Sequence, residues 1–219
     1  MKKVFIVTGT TRGLGKQIVS LILEETDHKV ISVSRRLITD FFGRTNLVHF
    51  DIDLADNDVS VLFPDIIRHI NDHHVIFVNN AATINPINNI GDQPENDIIT
   101  HVNVNLLAPI LLINRLEPYI RNGKVTIINI TSGVVNNVIA GWSLYCSTKS
   151  AMDAYFRNLA KEHTAWEIKS VDPGVMDTNM QMHVRNGDFK EKERFESFKL
   201  DGKLENPETV ANSILSDYL

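Results

Sequence analysis

A single cysteine, Cys146, stands among 219 residues, so no intrachain disulfide can form. That usage suits a reducing compartment. Basic residues are not in excess: the formal net charge is -5, which disfavours a nucleic-acid partner and leaves no basic patch. Long apolar runs are also missing. The opening Met1-Lys2-Lys3-Val4-Phe5-Ile6-Val7 imitates the start of an export signal, but its apolar stretch stops at Thr8-Gly9, too early for an h-region. No later run approaches the ~18 apolar residues of a membrane span. Repeats, low-complexity tracts and linkers are lacking too. The expectation is one domain over residues 1–219, soluble and cytoplasmic, with no membrane or nucleic-acid partner.

What is present is an alternation of strand and helix patterns. Residues 4–7, 75–78 and 125–130 are short apolar runs that read as buried strands, and 29–33, 47–54 and 167–171 read as further strands, the third of the six running into an acidic turn. Helical patterns separate them, including one near 59–70. The spacing predicts a Rossmann-type, doubly wound parallel sheet in three α/β/α layers.

The first strand runs into Thr8-Gly9-Thr10-Thr11-Arg12-Gly13-Leu14-Gly15 and then a helical pattern through Ile18 and Ile22. Side-chain-free Gly9, Gly13 and Gly15 let phosphate approach the backbone, and a helix N-terminus favours an anion. A capped helix after a strand is the plainer reading. At the end of the second strand Ser34 is followed by Arg35, and Arg12 can reach the same place. Two guanidiniums suit the 2′-phosphate of NADP, where an acidic residue would suit the hydroxyl of NAD. Asp51 and Asp53 compete for the adenine amino group, with helix capping as the alternative. Asn79-Asn80-Ala81-Ala82 follow the fourth strand; small residues there leave room for a flat ligand.

The second constellation is Ser132, Tyr145 and Lys149. Ser132 ends the strand at 125–130, and Tyr145 and Lys149 share one helix face about one turn apart. A hydroxyl, a phenol and an ammonium can deliver a proton to an oxygen. A tyrosine of ordinary pKa, about 10, would be shifted down by the ammonium and by an oxidised nicotinamide.

Residues 94–116 read as a helix apolar nearly all round, which needs the sheet on one side and a partner subunit on the other. Pro109 removes the helical donor to the Asn105 carbonyl, which is expected to hold a water on a proton route to Lys149; a simple kink is the alternative. Trp142 lies one turn before Tyr145. With Met176, Met180 and Phe189 it can line an apolar pocket for an aromatic substrate, or else belong to the core. Residues 176–205, charged yet carrying Met182, Phe195 and Phe198, read as a substrate lid, with a surface helix pair as the alternative. Asn206 and Pro207 open the final helix.

Together Thr8-Gly9-x-x-x-Gly13-x-Gly15, Asn79-Asn80-Ala81-Ala82, Asn105, Ser132, Tyr145-x-x-x-Lys149 and Pro173-Gly174 resemble the short-chain dehydrogenase/reductase family over residues 4 to 180. The stretches Asn105-Leu106-Leu107-Ala108-Pro109 and Pro173-Gly174-Val175-Met176-Asp177-Thr178-Asn179-Met180-Gln181 are similar to the bacterial benzil reductase group, which is related to the sepiapterin reductases. The resemblance implies NADPH as cofactor, joined by Thr11, Leu14, Leu54, Val175 and the residues of these motifs. It implies Tyr145 as general acid and Lys149 as its pKa-lowering, ribose-binding partner. Ser132 would hold the substrate oxygen, Asn105 would complete a proton relay, and Thr178 would meet the nicotinamide carboxamide. The implied activity is reduction of a ketone or diketone, aromatic or pterin-like. The implied assembly is a homodimer or homotetramer through the helices near 95–116 and 141–161. A 3-oxoacyl carrier-protein reductase and a catalytically silent NADP sensor or scaffold are the alternatives. Two departures stand out. A seventh strand, usual after the last helix, has no counterpart before Tyr218-Leu219, so either that tail is absent or the sequence is short. The stretch 162–166 is also brief, implying a tight turn.

Overall fold

Along β1 (Lys3–Thr8) the side chains alternate: Val4 and Ile6 enter one core, Phe5 and Val7 the other. A period of two puts neighbours on opposite faces, and a strand apolar at every position is therefore covered on both. The computed structural model, which describes residues 2–36, 39–56, 59, 63–70 and 73–219, shows this for the whole centre of the sheet.

Six parallel strands run in the order β3-β2-β1-β4-β5-β6. The others are β2 (Lys29–Ser34), β3 (Leu47–Asp51), β4 (His74–Asn79), β5 (Val125–Ile130) and β6 (Glu167–Val171). One face carries α1 (Gly13–Glu25) and α8 (Pro207–Leu215), through Ile18, Ile22, Ala211 and Leu215. The other carries α2 (Phe63–Ile70), α4 (Ala108–Ile120) and α5 (Ser143–Glu162), through Ile66, Leu112, Met152 and Phe156. Each such fully buried side chain contributes roughly 1.5–3 kcal/mol relative to exposure. The helix expected near 59–70 is described from Phe63; its residues 60–62 lie outside the described residues.

The helix expected at 94–116 is three pieces: α3 (Glu95–Val102), a π-helical turn (Asn103–Leu107) and α4. The Ala108 N–H donates to the Asn103 carbonyl, so the ladder widens just before Pro109 instead of simply kinking. Glu95–Ile120 as a whole is long and apolar enough to cross a membrane by length and composition, although no unbroken apolar run marks it in the sequence. Its residues Ala108, Leu112, Ile113, Leu116 and Ile120 are packed in the core beside the sheet.

At the β6 edge, Tyr218 donates from its hydroxyl to Glu167 Oε1 at 3.0 Å, pinning the end of the chain beneath the sheet. The brief stretch after α5 is a tight turn: Trp166 N–H bonds the His163 carbonyl at 3.0 Å and the two rings stack 4.1 Å apart. Between β6 and α8, α6 (Asn179–Asn186) and α7 (Lys192–Leu200) pack not on the sheet but on Trp142 and Tyr145, through Val184 and Phe195.

Candidate active site

The strand order reverses between β1 and β4, and the carboxyl ends of the strands leave a crevice there. Register places the two chain exits side by side, because Val7 pairs with Val78. The Thr8 hydroxyl accepts the N–H groups of Asn80 (3.1 Å) and Ala81 (3.0 Å). Asn80 in turn donates its amide to the carbonyls of Thr8 (2.9 Å) and Gly9 (3.1 Å). The glycine turn is thus bolted to the end of β4. Gly9 adopts φ +72°, and a Cβ there would stand 2.8 Å from the Ala81 Cα. Only glycine fits both demands.

From this point a cleft of about 790 Å³ opens. At one end it is lined by Gly9, Thr11, Arg12, Gly13 and Leu14, then Ser34 and Arg35, then Asp53 and Leu54. Asn80, Ala81 and Ala82 form its middle, with Pro173, Gly174, Val175 and Thr178 opposite. Asp53 faces the cleft and Asp51 does not. Gly15 is set back from the surface, packed against the Gly9 carbonyl. Arg12 precedes α1 without capping it, and the first turn of α1 holds no acidic residue, so its end stays open to an anion. The uncapped helix end, the bare glycine backbone and the two exposed arginines fit the anionic half of a dinucleotide. Ser34 is tied below, 2.9 Å from Thr10 Oγ1, and donates to the Arg36 carbonyl at 3.0 Å. Thr178 caps α6 by accepting the Gln181 N–H at 3.3 Å, and its methyl approaches Gly13.

The other end of the cleft gathers Ser132, Tyr145 and Lys149. β5 ends beside β6, with Ile130 paired to Val171, and this brings Ser132 next to Asp172. The carboxylate lies close enough that a Cβ on Gly133 would be 3.2 Å from it. Lys149, 6 % exposed, donates to the Ile130 carbonyl at 2.7 Å, and its Nζ stands 5.7 Å from the Tyr145 ring centre. Tyr145 is wedged edge-on between Trp142 (5.9 Å) and His101 (6.3 Å).

Among the protein's own groups, the dominant effect on Tyr145 is opposite in sign to the lowering expected from the ammonium and the nicotinamide together. Burial pushes the phenol up to about 12; the Ser132 hydroxyl lowers it in part, and the Asp172 carboxylate adds to the rise. Burial also draws Lys149 down to about 8, against the opposing pull of Asp172. Desolvation is the dominant influence on both groups, and the ammonium is held by the Ile130 carbonyl.

Asn105 does not line the cleft. It is 4 % exposed and turned inward, its amide clamped to the Thr83 backbone: Oδ1 accepts the Thr83 N–H at 2.8 Å and Nδ2 donates to the Thr83 carbonyl at 2.7 Å. Trp142, Met176 and Met180 do line it, and Phe189 stands behind, 5.6 Å from Trp142. Trp142 is itself a core residue of a small aromatic cluster, with Phe195 at 4.9 Å. The base of the α6–α7 segment is fixed by Glu205, whose N–H bonds the Val175 carbonyl at 2.9 Å and whose carbonyl accepts from Asp177 at 3.0 Å. Asp172 and His101 went unnoticed in the sequence. The first is marked only by its place before Pro173-Gly174, the second by being one helical turn before Asn105. Among the described residues no cluster of His, Cys, Asp and Glu could hold a metal ion.

The sequence model of the short chain dehydrogenase family matches residues 3–188. The chain is 36% identical over 227 residues to the benzil reductase ((S)-benzoin forming) of Bacillus cereus, covering 95% of this chain and 91% of that one. It is 34% identical over 229 residues to the protein of the same name from Bacillus subtilis, covering 98% and 92%. Among solved structures it is similar to the KRED1-Pglu enzyme, with a TM-score of 0.89, 27% identity, and 98% and 94% of the two chains covered.

Proposed function

The chain belongs to the short chain dehydrogenase family, and from that premise we propose that it reduces ketones or diketones with NADPH, Tyr145 acting as general acid. Membership makes it an oxidoreductase that acts on carbonyl or hydroxyl groups with a nicotinamide cofactor. The observation that carries the finer reading is the convergence of Ser132, Tyr145 and Lys149 at one end of a cleft whose other end is the glycine turn. When bound there, the nicotinamide supplies the hydride that becomes the carbinol hydrogen.

The residues supply the rest. Ser132 donates to the carbonyl oxygen and orients it. Tyr145, neutral because burial raises its pKa to about 12, gives its proton to that oxygen as charge develops. Lys149 holds the cofactor ribose and offsets the phenolate left behind. Asn105, its side chain immobilised on Thr83, leaves its main-chain carbonyl to seat a water that passes a proton on through Lys149. Asp53 takes the adenine end, and Thr178 and Val175 the carboxamide end. Residues 176–205 act as a lid whose apolar side, with Trp142, Met176 and Met180, excludes water from an aromatic substrate. The benzil reductase relatives support this choice of substrate class. We take the enzyme to be cytoplasmic, as the lone buried Cys146 allows. We take it to be a homodimer or homotetramer through α3–α4 and α5, where Ile99 and Leu107 are exposed.

Two expected results test the electrostatics. Arg35→Ala weakens NADPH by about 10–100-fold, the worth of a charge-assisted hydrogen bond, and leaves NADH nearly unchanged. Titration with both cofactors checks this, and equal weakening would remove the phosphate role. For pH, Lys149 loses its charge near 8 while Tyr145 keeps its proton to about 12. In the reducing direction kcat/KM therefore stays level below the lysine value and declines above it, where the ammonium that stabilises the phenolate is gone. A profile that holds level until the phenol itself ionises would contradict this.

A further inference from the structure

Among the buried titratable groups that the mechanism above does not use, His101 lies beside the site. His101 is fully enclosed, 0 % exposed, on α3 one helical turn before Asn105. Its Nδ1 lies 2.6 Å from the carbonyl oxygen of Asn85. Its Nε2 lies 2.9 Å from Asn105 Nδ2 and 3.1 Å from Thr148 Oγ1.

The neighbours fix its tautomer. The Thr83 N–H points at the Asn105 amide oxygen, so that oxygen cannot be exchanged with the nitrogen. One N–H of the amide goes to the Thr83 carbonyl, and the other faces His101 Nε2. The Thr148 hydroxyl gives its proton to the Leu144 carbonyl at 2.8 Å. The carbonyl at 2.6 Å demands a proton on Nδ1, and the amide N–H at 2.9 Å, closer than the Thr148 oxygen at 3.1 Å, favours a lone pair on Nε2. Burial is the largest influence and opposes an imidazolium here; the Asn85 and Leu144 carbonyls favour one, the Lys149 charge does not, and the net shift is downward.

The ring thereby joins three walls of the site. Asn85 belongs to the segment after β4, whose Thr83, Ile84 and Asn85 line the cleft. Asn105 sits in the π-helical turn. Thr148 lies on α5 between Tyr145 and Lys149, and the His101 ring meets the Tyr145 ring edge-on. We propose that His101 is a positioning residue for the reductase reaction, its Nε2 lone pair holding the Asn105 amide and, through it, residues 83–85 against which the carbonyl substrate lies. The kinetic consequence rests on the reductase reading; the tautomer does not.

Two substitutions separate this role from general packing. In His101→Gln the carboxamide oxygen can take the place of Nε2 and accept from Asn105. In His101→Asn the shorter amide can replace Nδ1, donating to Asn85, but leaves Asn105 without its acceptor. Both lose the ring, and the larger void left by Asn lowers Tm further than Gln does, so a purely structural role moves NADPH affinity along with Tm, whereas a positioning role moves kcat and leaves that affinity in place. The expected result is that His101→Gln keeps kcat within about threefold of the parent. His101→Asn loses roughly tenfold or more in kcat, the worth of a buried hydrogen bond left unmade, while NADPH affinity changes little in either. Equal kcat values, or the better rate in His101→Asn, would overturn the proposal. Nitrogen-15 NMR of the unaltered chain gives a second reading that needs no variant to fold. An Nδ1–H tautomer near neutral pH is expected; an Nε2–H tautomer or an imidazolium overturns it. That spectrum needs no ketone, so a failed positioning role and a failed reductase assignment leave different traces.

Discussion

Tyr145→Phe is expected to lower ketone reduction by about 10²–10⁴-fold, the usual range for a lost general acid, while NADPH still binds. The hydroxyl is the only atom removed. The ring keeps its edge-on contacts with Trp142 at 5.9 Å and His101 at 6.3 Å, so the wall of the cleft stays in place. The glycine turn and the two arginines lie at the far end and do not touch it. Loss of rate with retained binding is therefore the signature of proton delivery, since an interaction made only in the transition state lowers kcat and not affinity. Single-turnover NADPH oxidation alongside a binding titration checks both halves. Turnover within tenfold of the parent, with the usual affinity, would discard Tyr145 as the acid.

Gly15→Ala is expected to remove cofactor binding and to destabilise the fold, although Gly15 does not itself line the cleft. A methyl there would stand 2.3 Å from the Gly9 carbonyl oxygen and 2.4 Å from Asn80 Nδ2. Neither can step aside cheaply. The carbonyl is backbone, and the amide is already committed to Thr8 and Gly9 at 2.9 and 3.1 Å. The turn must open, at a cost of about 1–3 kcal/mol or more for overpacking. The opened turn no longer presents the α1 end to phosphate. Gly123→Ala is the control: its nearest neighbour would be the Ile120 carbonyl at 3.4 Å, outside the site. NADPH affinity down by about tenfold or more and a lowered Tm are expected for Gly15→Ala, and near-parent values for Gly123→Ala. Parent-like NADPH affinity in Gly15→Ala would break the link between turn geometry and the cofactor.

The central strands were legible because each is a short apolar run, and covering both faces of a parallel sheet demands that; β6 at the edge, with Glu167 and Lys169, is largely exposed and carries no such run. The run at 125–130 became β5 with the same ends. Motif positions were legible where chemistry needs a residue type at a chain position, as with Gly9 after a strand or Tyr145 one turn before Lys149. What the letters hid depends on packing between distant segments. Asp172 meets Ser132 only because Ile130 pairs with Val171, a register no local pattern states. His101 reads in one dimension as one polar residue on an apolar helix; its use appears once Asn85, Asn105 and Thr148 surround it. The burial that raises the Tyr145 pKa was hidden for the same reason. Counting the ammonium four residues away is easy, but the burial of the phenol arises only once α6 and α7 pack Val184 and Phe195 into the cluster around Trp142 and Tyr145.

The most direct measurement follows one atom. NADPH carrying deuterium at its transferable position is incubated with the enzyme and an aromatic diketone such as benzil. The account expects one equivalent of the label on the new carbinol carbon for each cofactor oxidised, and about a hundredth as much labelled product or less in the Tyr145→Phe variant over the same time. A product without deuterium, or a cofactor left unoxidised across a panel of ketones, would contradict it.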